Sequence, residues 1–220
     1  MNDLKRYLQA GELLHGHPCP PLAVGVRAGA VGLEALGVSR AVQRELFAFV
    51  EMGGDHYAQG FGDGVQIVTG CTFGKDNIGR MPLGKFGLTL LDQRQRLAVR
   101  VSATAGLVDG LESTAWFRQC ERSGVPWFEV AREEVVPVAE FVLSAPAEQL
   151  FTVSPRFPMG VEDVPLGFVT SQCEMCGEHA LSRYLRERQG RRLCLRCDER
   201  AEALGGAIPR GPTATAARRG

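Results

Sequence analysis

The cysteines near the carboxyl end of the chain form the pattern with the clearest chemistry. Two Cys-x-x-Cys pairs, Cys173/Cys176 and Cys194/Cys197, are separated by seventeen residues. Each pair can supply two thiolates from one tight turn, and the intervening chain can fold back to complete a tetrahedron. We therefore predict a structural zinc site with these four ligands, closed to substrate because no coordination position stays open. The alternative is two unrelated cysteine pairs.

Arginines accumulate between and after these cysteines. They could contact the phosphates of a nucleic acid, or they could form the solvated face of a mini-domain with little core. His179 could replace one cysteine as a ligand, although four thiolates make it unnecessary. The arginines concerned are Arg183, Arg186, Arg188, Arg191, Arg192 and Arg196.

A second group of metal-ligand residues lies near the amino terminus, in the stretch "HGHPCPPLAVGVR". His15, His17 and Cys19 alternate, so an extended segment would present them on one face, and the neighbouring prolines stiffen it. Imidazole and thiolate suit transition metals. A core metal site made of His17, Cys19, Cys71 and His56 is therefore chemically reasonable, with His15 outside the ligand set, where it could orient a ligand by a hydrogen bond. Alternatively, the histidines cap a turn and the cysteines are buried hydrophobes.

The stretch "GCTFGK" (70–75) resembles a phosphate-binding loop but departs from it in two ways. Three residues, not four, separate the glycines, and Asp76 stands where a magnesium-binding hydroxyl is needed. We therefore exclude a nucleoside triphosphate site. Lys75 could still balance the charge of an anionic substrate, and with Cys19 and Cys71 it makes up the candidate catalytic set. It could equally be an ordinary surface lysine. Cys120 is expected in the core.

Several helices and strands must position these residues. We predict an opening amphipathic helix, and then a helix that begins at Pro20 and Pro21 and stops at Gly37. Strands are expected at "ELFAFVE" (45–51), "KFGLTLLD" (85–92) and "RLAVRVSA" (96–103), and a helix at "STAWFRQCERSG" (113–124). "WFEVAREEVVP" (127–137) has the character of a strand. Together these elements indicate an α+β fold with a mixed or antiparallel sheet packed by helices, followed by a small zinc-ribbon or treble-clef-like finger.

Composition narrows the class of protein. The chain has 220 residues, no net charge and 45% hydrophobic residues, so it can bury a sizeable core but is unlike a general polyanion binder. No stretch has the length of a membrane span, and the amino terminus lacks signal-peptide features. We expect a cytoplasmic protein with reduced thiols, in which the seven cysteines serve in metal binding or catalysis rather than in disulfides.

The predicted organisation is a core (1–155), a linker (156–170), the finger (171–204) and a disordered tail (205–220).

Three stretches resemble the signature blocks of the FmdE-like family of formylmethanofuran dehydrogenase proteins. They are "HGHPCPPLAVGVRAG", "DGVQIVTGCTFGKDNI" and "LGKFGLTL", in that order, and the four-cysteine finger also matches a common arrangement in the family. The resemblance covers roughly residues 10 to 200. It implies an α+β core, a metal-associated His/Cys cluster, a frequent dimer and an appended zinc finger.

The resemblance assigns individual positions. His17, Cys19 and Cys71 match the family's prominent His/Cys positions, and Asp63 and Gln66 match its D-x-x-Q step. Its loop is matched by Gly70, Thr72, Gly74 and Lys75. Two positions depart from the pattern: Pro21 replaces a glycine, and Gly60 stands near where many members carry a cysteine.

These features favour a metal-binding FmdE-like protein. We expect either an accessory subunit or a metal-dependent enzyme linked to molybdenum or tungsten formyl-group redox metabolism, with zinc in the finger and a second transition metal, such as zinc, in the core. The chain lacks the run of cysteines that a low-potential iron–sulfur cluster needs. Alternatives are a metal carrier or sensor and a zinc-finger nucleic-acid-binding regulator. A homodimer and a redox-enzyme or other protein partner are expected; nucleic acid is the weaker expectation, and no membrane partner is predicted.

Overall fold

A computed structural model describes residues 2–54, 57–162 and 167–205 of the chain. The chain divides into two compact units, Met1–Val161 and Glu162–Gly220. Among the described residues, no helix combines the length and the apolar character needed to cross a lipid bilayer.

Helices and a single sheet build the first unit. The helices are α1 (Asn2–His15), α2 (Pro20–Leu36), α3 (Gly60–Thr69), α4 (Ala105–Glu112), α5 (Ala115–Ser123), α6 (Arg132–Ser144) and α7 (Ala147–Leu150). The strands are β1 (Leu46–Val50), β2 (Ile78–Arg80), β3 (Gly87–Asp92), β4 (Leu97–Ala103), β5 (Phe151–Val153) and β6 (Phe157–Pro158).

The sheet is mixed. Its order is β2-β1-β3-β4-β5, and β6 also pairs with β4. β1 and β2 run parallel, whereas the other pairs are antiparallel. Every residue of β3 is buried, as expected for a central strand covered on both faces. The predicted α+β class with a mixed sheet is therefore confirmed.

α2 and α3 pack with their backbones in close approach. A Cβ at Gly25 would lie 2.0 Å from the carbonyl oxygen of Phe61, and one at Gly64 would lie 2.2 Å from that of Leu22. Only glycine permits this distance, because any side chain would collide with backbone atoms. The contact fixes the start of α3 against the first turns of α2, which is where the candidate residues of the core lie.

Helix α2 has the predicted boundaries. Pro20 and Pro21 occupy its first turn, where no intrahelical N–H bond is lost, and Gly37 ends it in a left-handed conformation with φ of 71°. The strand prediction for 127–137 was wrong, since this stretch forms a short 3-10 turn and the first half of α6. The buried residues of α6 follow a helical spacing: Val135, Ala139, Val142 and Leu143.

The second unit contains two hairpins and a helix. β7 (Thr170–Gln172) pairs with β8 (His179–Leu181), β9 (Leu185–Arg188) pairs with β10 (Arg191–Cys194), and α8 (Leu195–Ala203) follows. This is the order of elements in a treble-clef finger, as predicted. Within the stretch predicted as a linker, Phe157–Pro158 instead pair with β4. Of the predicted tail, residues 206–220 lie outside the described part of the chain.

Candidate functional site

The four predicted zinc ligands meet in the second unit. Their Sγ atoms all lie within 4.8 Å of one another, and those of Cys176 and Cys194 are 4.0 Å apart. Zn–S bonds of about 2.3 Å in a tetrahedron place sulfurs about 3.8 Å apart. The donor set and its spacing therefore fit a zinc ion held by four thiolates.

Local turns create this arrangement. Cys173 and Cys176 occupy the turn between β7 and β8, where Gly177 takes a left-handed φ of 79° and its N–H donates to the carbonyl of Cys173. Cys194 ends β10 and Cys197 lies in the first turn of α8. Each Cys-x-x-Cys pair is thus presented by one short turn.

Backbone N–H groups prepare one sulfur for metal binding. Burial acts to raise the pKa of Cys173, but N–H groups near it, including that of Cys194, outweigh burial and lower the pKa to about 6. Burial and the neighbouring thiols raise the pKa of Cys197. A dication at the centre would favour the thiolate form of all four ligands.

Several arginines of the finger pair with its own acids. Arg188 donates to Asp198 at 2.5 Å and lies near Glu202. Arg191 and Arg192 both lie within ion-pair distance of Glu174. These pairs hold the second hairpin against α8 and the first knuckle, which reduces the positive charge available to a polyanion.

The His/Cys stretch forms a separate site in the first unit. His15 ends α1, Cys19 immediately precedes α2, and Gly60 begins α3. A Cβ atom added at Gly60 would lie 3.1 Å from Cys19 Sγ and 3.2 Å from His15 Nε2. The thiol of Cys19 and the ring of His15 therefore both lie close to the backbone of Gly60. The ring centroids of His15 and His17 are 4.6 Å apart.

A chain of hydrogen bonds supports His15. Its Nδ1 lies 2.8 Å from Asp63 Oδ2, and the other carboxylate oxygen accepts a bond from Gln66 Nε2 at 3.2 Å. Gln66 Oε1 in turn accepts from the backbone N–H of Phe73. Hydrogen bonds to Asp63 and Cys19 raise the pKa of His15 to about 10, although burial opposes them. The ring is therefore an imidazolium at neutral pH.

These residues face a pocket of about 360 Å³. Its volume suits a small molecule. The rings of Tyr57 and Trp127 stack at 5.9 Å, and Trp116 packs against Trp127 at 5.1 Å. The lining is Tyr57, Gln59, Trp116, Trp127, His15, His17, Cys19, Gly54 and Gly60.

Cys71 does not belong to this pocket. It follows the carboxyl end of α3, whereas Cys19 faces the amino end, and ten helical residues separate the two ends by about 15 Å. No single metal ion can bind both thiols of one chain. The Cys71 N–H donates to Thr69 Oγ1, and burial raises the pKa of the Cys71 thiol to about 11. Within one chain, Cys71 therefore does not complete a metal site with Cys19.

The other residues predicted for the core site also fail to converge on one point in the described part of the chain. Lys75 Nζ donates to the carbonyls of Ala41 and Val42, on the Cys71 side of α3, so it does not complete a catalytic set with Cys19. His17 Nδ1 bonds to the carbonyl of Pro18. His56 lies outside the described residues. Within the described part of the first unit, no three ligand groups converge on one point.

The sequence placed His15 outside the predicted metal ligands. It also gave no role to Tyr57, Trp116 and Trp127, the aromatic residues that line the pocket. Asp63 and Gln66 carried a usable signal, because their i, i+3 spacing puts them on one face of a helix. Trp116 and Trp127 carried none, since they reach the pocket from a helix and a turn some sixty residues beyond it.

Comparisons with known proteins agree with this architecture. The family described as "FmdE, Molybdenum formylmethanofuran dehydrogenase operon" matches residues 14–152. A probable S-adenosyl-L-methionine-binding protein from Archaeoglobus fulgidus is 32% identical over 207 residues. That alignment covers 89% of this chain, which spans about half, 53%, of that relative.

A solved structure shares the fold. The crystal structure of a tungsten formylmethanofuran dehydrogenase FmdE-like protein from Syntrophus aciditrophicus superposes with a TM-score of 0.59 at 20% identity. The superposition covers 89% of this chain and 91% of the other. With the sequence match over most of the first unit, these findings show that the chain belongs to the FmdE family.

Proposed function

We propose that this chain is a zinc-finger accessory protein of a molybdenum or tungsten enzyme that handles formyl groups, and that its core pocket binds a small molecule. The convergence of four Sγ atoms within 4.8 Å carries the metal-binding part of the proposal. The family description and the name of the structural neighbour support the link to formyl-group chemistry.

The distribution of the remaining cysteines favours an accessory role over that of a redox catalyst. Among the described residues, none of Cys19, Cys71 and Cys120 belongs to a converging group of three or more ligand side chains. Because iron–sulfur clusters need several converging thiolates, we assign electron transfer to a partner enzyme. We also place the protein in the reducing cytoplasm, since four cysteines converge as metal-binding thiolates and no disulfide joins the other three.

The finger would serve as a docking module. Its closed set of four thiolates suits a structural zinc better than a carrier or sensor site, which must release or exchange its metal. The pairing of Arg188, Arg191 and Arg192 with acids of the finger favours a protein partner over nucleic acid. We further propose that the chain forms a homodimer.

Two measurements test this function. Metal analysis of the untagged protein should give about one zinc per chain. Capture from an extract with the full chain as bait should enrich molybdenum or tungsten in the eluate, and a Cys173→Ser/Cys197→Ser bait should not. An eluate without either metal would refute the accessory role, and binding to DNA that weakens steeply with salt would favour the regulator instead.

A second candidate function concerns the core pocket alone. The Archaeoglobus relative is named as a probable S-adenosyl-L-methionine-binding protein. The aromatic walls formed by Tyr57, Trp116 and Trp127 suit both a flat base and a sulfonium cation. Titration of the protein with S-adenosylmethionine should change tryptophan fluorescence, and Trp127→Leu should weaken binding while Trp116 still reports on it. Unchanged fluorescence with no heat of binding would rule this ligand out.

A further inference from the structure

A second pocket of the first unit lies at the end of the sheet, where β3 begins and β4 ends. Its volume of about 440 Å³ suits a small molecule such as an amino acid. Charged and apolar side chains line this polar pocket: Lys85, Phe86, Arg100, Ser102, Val108 and Glu112. We propose that the polar pocket binds an apolar α-amino acid, with the ligand's carboxylate on Lys85 and Arg100 and its ammonium group on Glu112. The function proposed above does not depend on this site.

A buried carboxylate holds Arg100 at the wall of the polar pocket. Nε and Nη2 of Arg100 donate to the two carboxylate oxygens of Glu51, each at 2.6 Å, and Glu51 is only 3% exposed. A Cβ at Gly87 would lie 2.4 Å from Glu51 Oε2, so this glycine leaves room for the pair. The bidentate contact fixes the plane of the guanidinium. Its remaining nitrogen, Nη1, makes no hydrogen bond within the described part of the chain, so it can donate to a ligand.

Two further donors line the same pocket. Ser102 lies two residues after Arg100 on β4, and alternate residues of a strand share one face. Lys85 precedes β3, and its backbone N–H donates to the carbonyl of Glu51 at 2.9 Å, which anchors it beside the Glu51–Arg100 pair. Among the residues that the structure describes, no acidic side chain pairs with Lys85 Nζ. The pocket therefore offers two cations and a hydroxyl group to one anionic group of a ligand.

The opposite charge comes from α4. Val108 and Glu112 are four residues apart, so they lie on the same face of this helix, and both line the pocket. Neither Lys85 nor Arg100 forms an ion pair with Glu112 in the described ranges. Burial raises the pKa of Tyr57, which also lines the pocket, to about 12, and the negative charge of Glu112 contributes to this increase. The phenol of Tyr57 is therefore neutral, and the Glu112 carboxylate can bind a cation.

The balance of charge indicates the class of ligand. With Glu51 included, the side chains at the polar pocket carry two positive and two negative charges at neutral pH. A zwitterion matches both signs, whereas a simple anion would be repelled by Glu112 and a simple cation by Lys85. Phe86 and Val108 add an apolar wall for the rest of the ligand. An α-amino acid with an apolar side chain combines these three properties.

The first test compares ligands that differ by one charged group. The zinc-loaded full chain is titrated calorimetrically at neutral pH with L-norleucine, with hexanoate, which lacks the ammonium group, and with pentylamine, which lacks the carboxylate. Norleucine should bind about tenfold more tightly than either analogue, because each analogue leaves one charged side chain without a partner. It should also bind more tightly than 6-aminohexanoate, in which the two charges are far apart. Equal affinities, or no heat with norleucine at about 10 mM, would overturn the proposal.

The second test assigns the two charges of the ligand to side chains. Lys85 and Glu112 are both exposed, so glutamine at either position should leave the fold intact. Glu112→Gln should weaken norleucine binding about tenfold and leave hexanoate binding unchanged, whereas Lys85→Gln should weaken norleucine binding and leave pentylamine binding unchanged. Lys5→Gln removes an exposed lysine that does not line the pocket and should bind norleucine as the wild type does. Unchanged norleucine binding in Lys85→Gln or Glu112→Gln would contradict the assignment.

Discussion

The finger and the core pocket both contain side chains that commonly bind metals, but among the described residues only those of the finger converge as a group of three or more. Its four sulfurs share a space of 4.8 Å, and each is delivered by a turn of a few residues. In the core, His15 bonds to Asp63, His17 to the carbonyl of Pro18, and Cys71 lies beyond the far end of α3. Suitable residue types therefore make a metal site only where the intervening elements let their donor atoms converge.

The largest expected effect is in the finger. Replacing Cys173 by serine should remove the zinc and unfold the second unit, because metal binding to such small sites contributes about 10–16 kcal/mol. Metal content should fall from about one ion per chain to near zero, while the melting of the first unit, followed by near-ultraviolet circular dichroism, stays unchanged. Cys120→Ser serves as the control and should keep its zinc.

The next largest effect would come from adding a third ligand to the core pocket, so that it binds a metal as the finger does. Gly60→Cys would place a Cβ 3.1 Å from Cys19 Sγ and 3.2 Å from His15 Nε2. This substitution should therefore create a second site, and metal content should rise from about one to about two ions per chain. Gly60→Ala adds the same Cβ without a sulfur. If Gly60→Ala also gained a metal, or if Gly60→Cys gained none, the expectation that Cys19 and His15 can act as ligands together with a third residue would be mistaken.

A smaller effect concerns the stability contributed by the ion pair between His15 and Asp63. The pKa of His15 is raised from 6.5 to about 10, so its bond with Asp63 stabilises the folded protein fully below about pH 6.5. That contribution should fade as the pH rises toward 10. Asp63→Asn should lower the free energy of unfolding of the first unit by about 1.5–3 kcal/mol at pH 6.

Denaturant titrations at several pH values check this expectation. The wild type and Asp63→Asn curves should converge at alkaline pH, because the imidazolium is then lost from both proteins. A constant difference between pH 6 and 10 would mean that the Asp63 carboxylate stabilises the fold by another route.

The smallest effect is expected at Cys71. Cys71→Ala removes one buried sulfur and should cost about 1 kcal/mol of stability. It should leave the metal content of the protein unchanged. Loss of metal in this variant would mean that Cys71 is a ligand. That result would contradict the separation of about 15 Å between Cys71 and Cys19 within one chain.

How far the sequence predicted these sites follows from the distance over which each signal acts. The knuckles of the finger, the prolines that begin α2 and Gly37 that ends it are all local, and each appears as predicted. The prediction that Cys19 and Cys71 share one metal site depended on a long-range contact. Had residues 60–69 been recognised as one continuous helix, its length alone would have separated the two thiols.

The error at α6 has a similar physical origin. Valines and aromatic residues favour strands locally, and Pro137 disfavours a helix interior. The helix forms because Val135, Ala139 and Val142 recur at helical spacing and bury one face. Tertiary packing decided this element, and a single stretch of sequence does not reveal which neighbour will cover it.

The glycine contact between α2 and α3 has a consequence for local motion. Since the backbones meet at Gly25 and Gly64 with no side chain between them, neither helix can open without separating from the other. Amide hydrogens in the first turns of α2 and along α3 should therefore exchange with solvent as one cooperative unit. The loop that carries His17 lies outside that contact and should exchange earlier, so the pocket would combine a rigid floor with a more mobile rim.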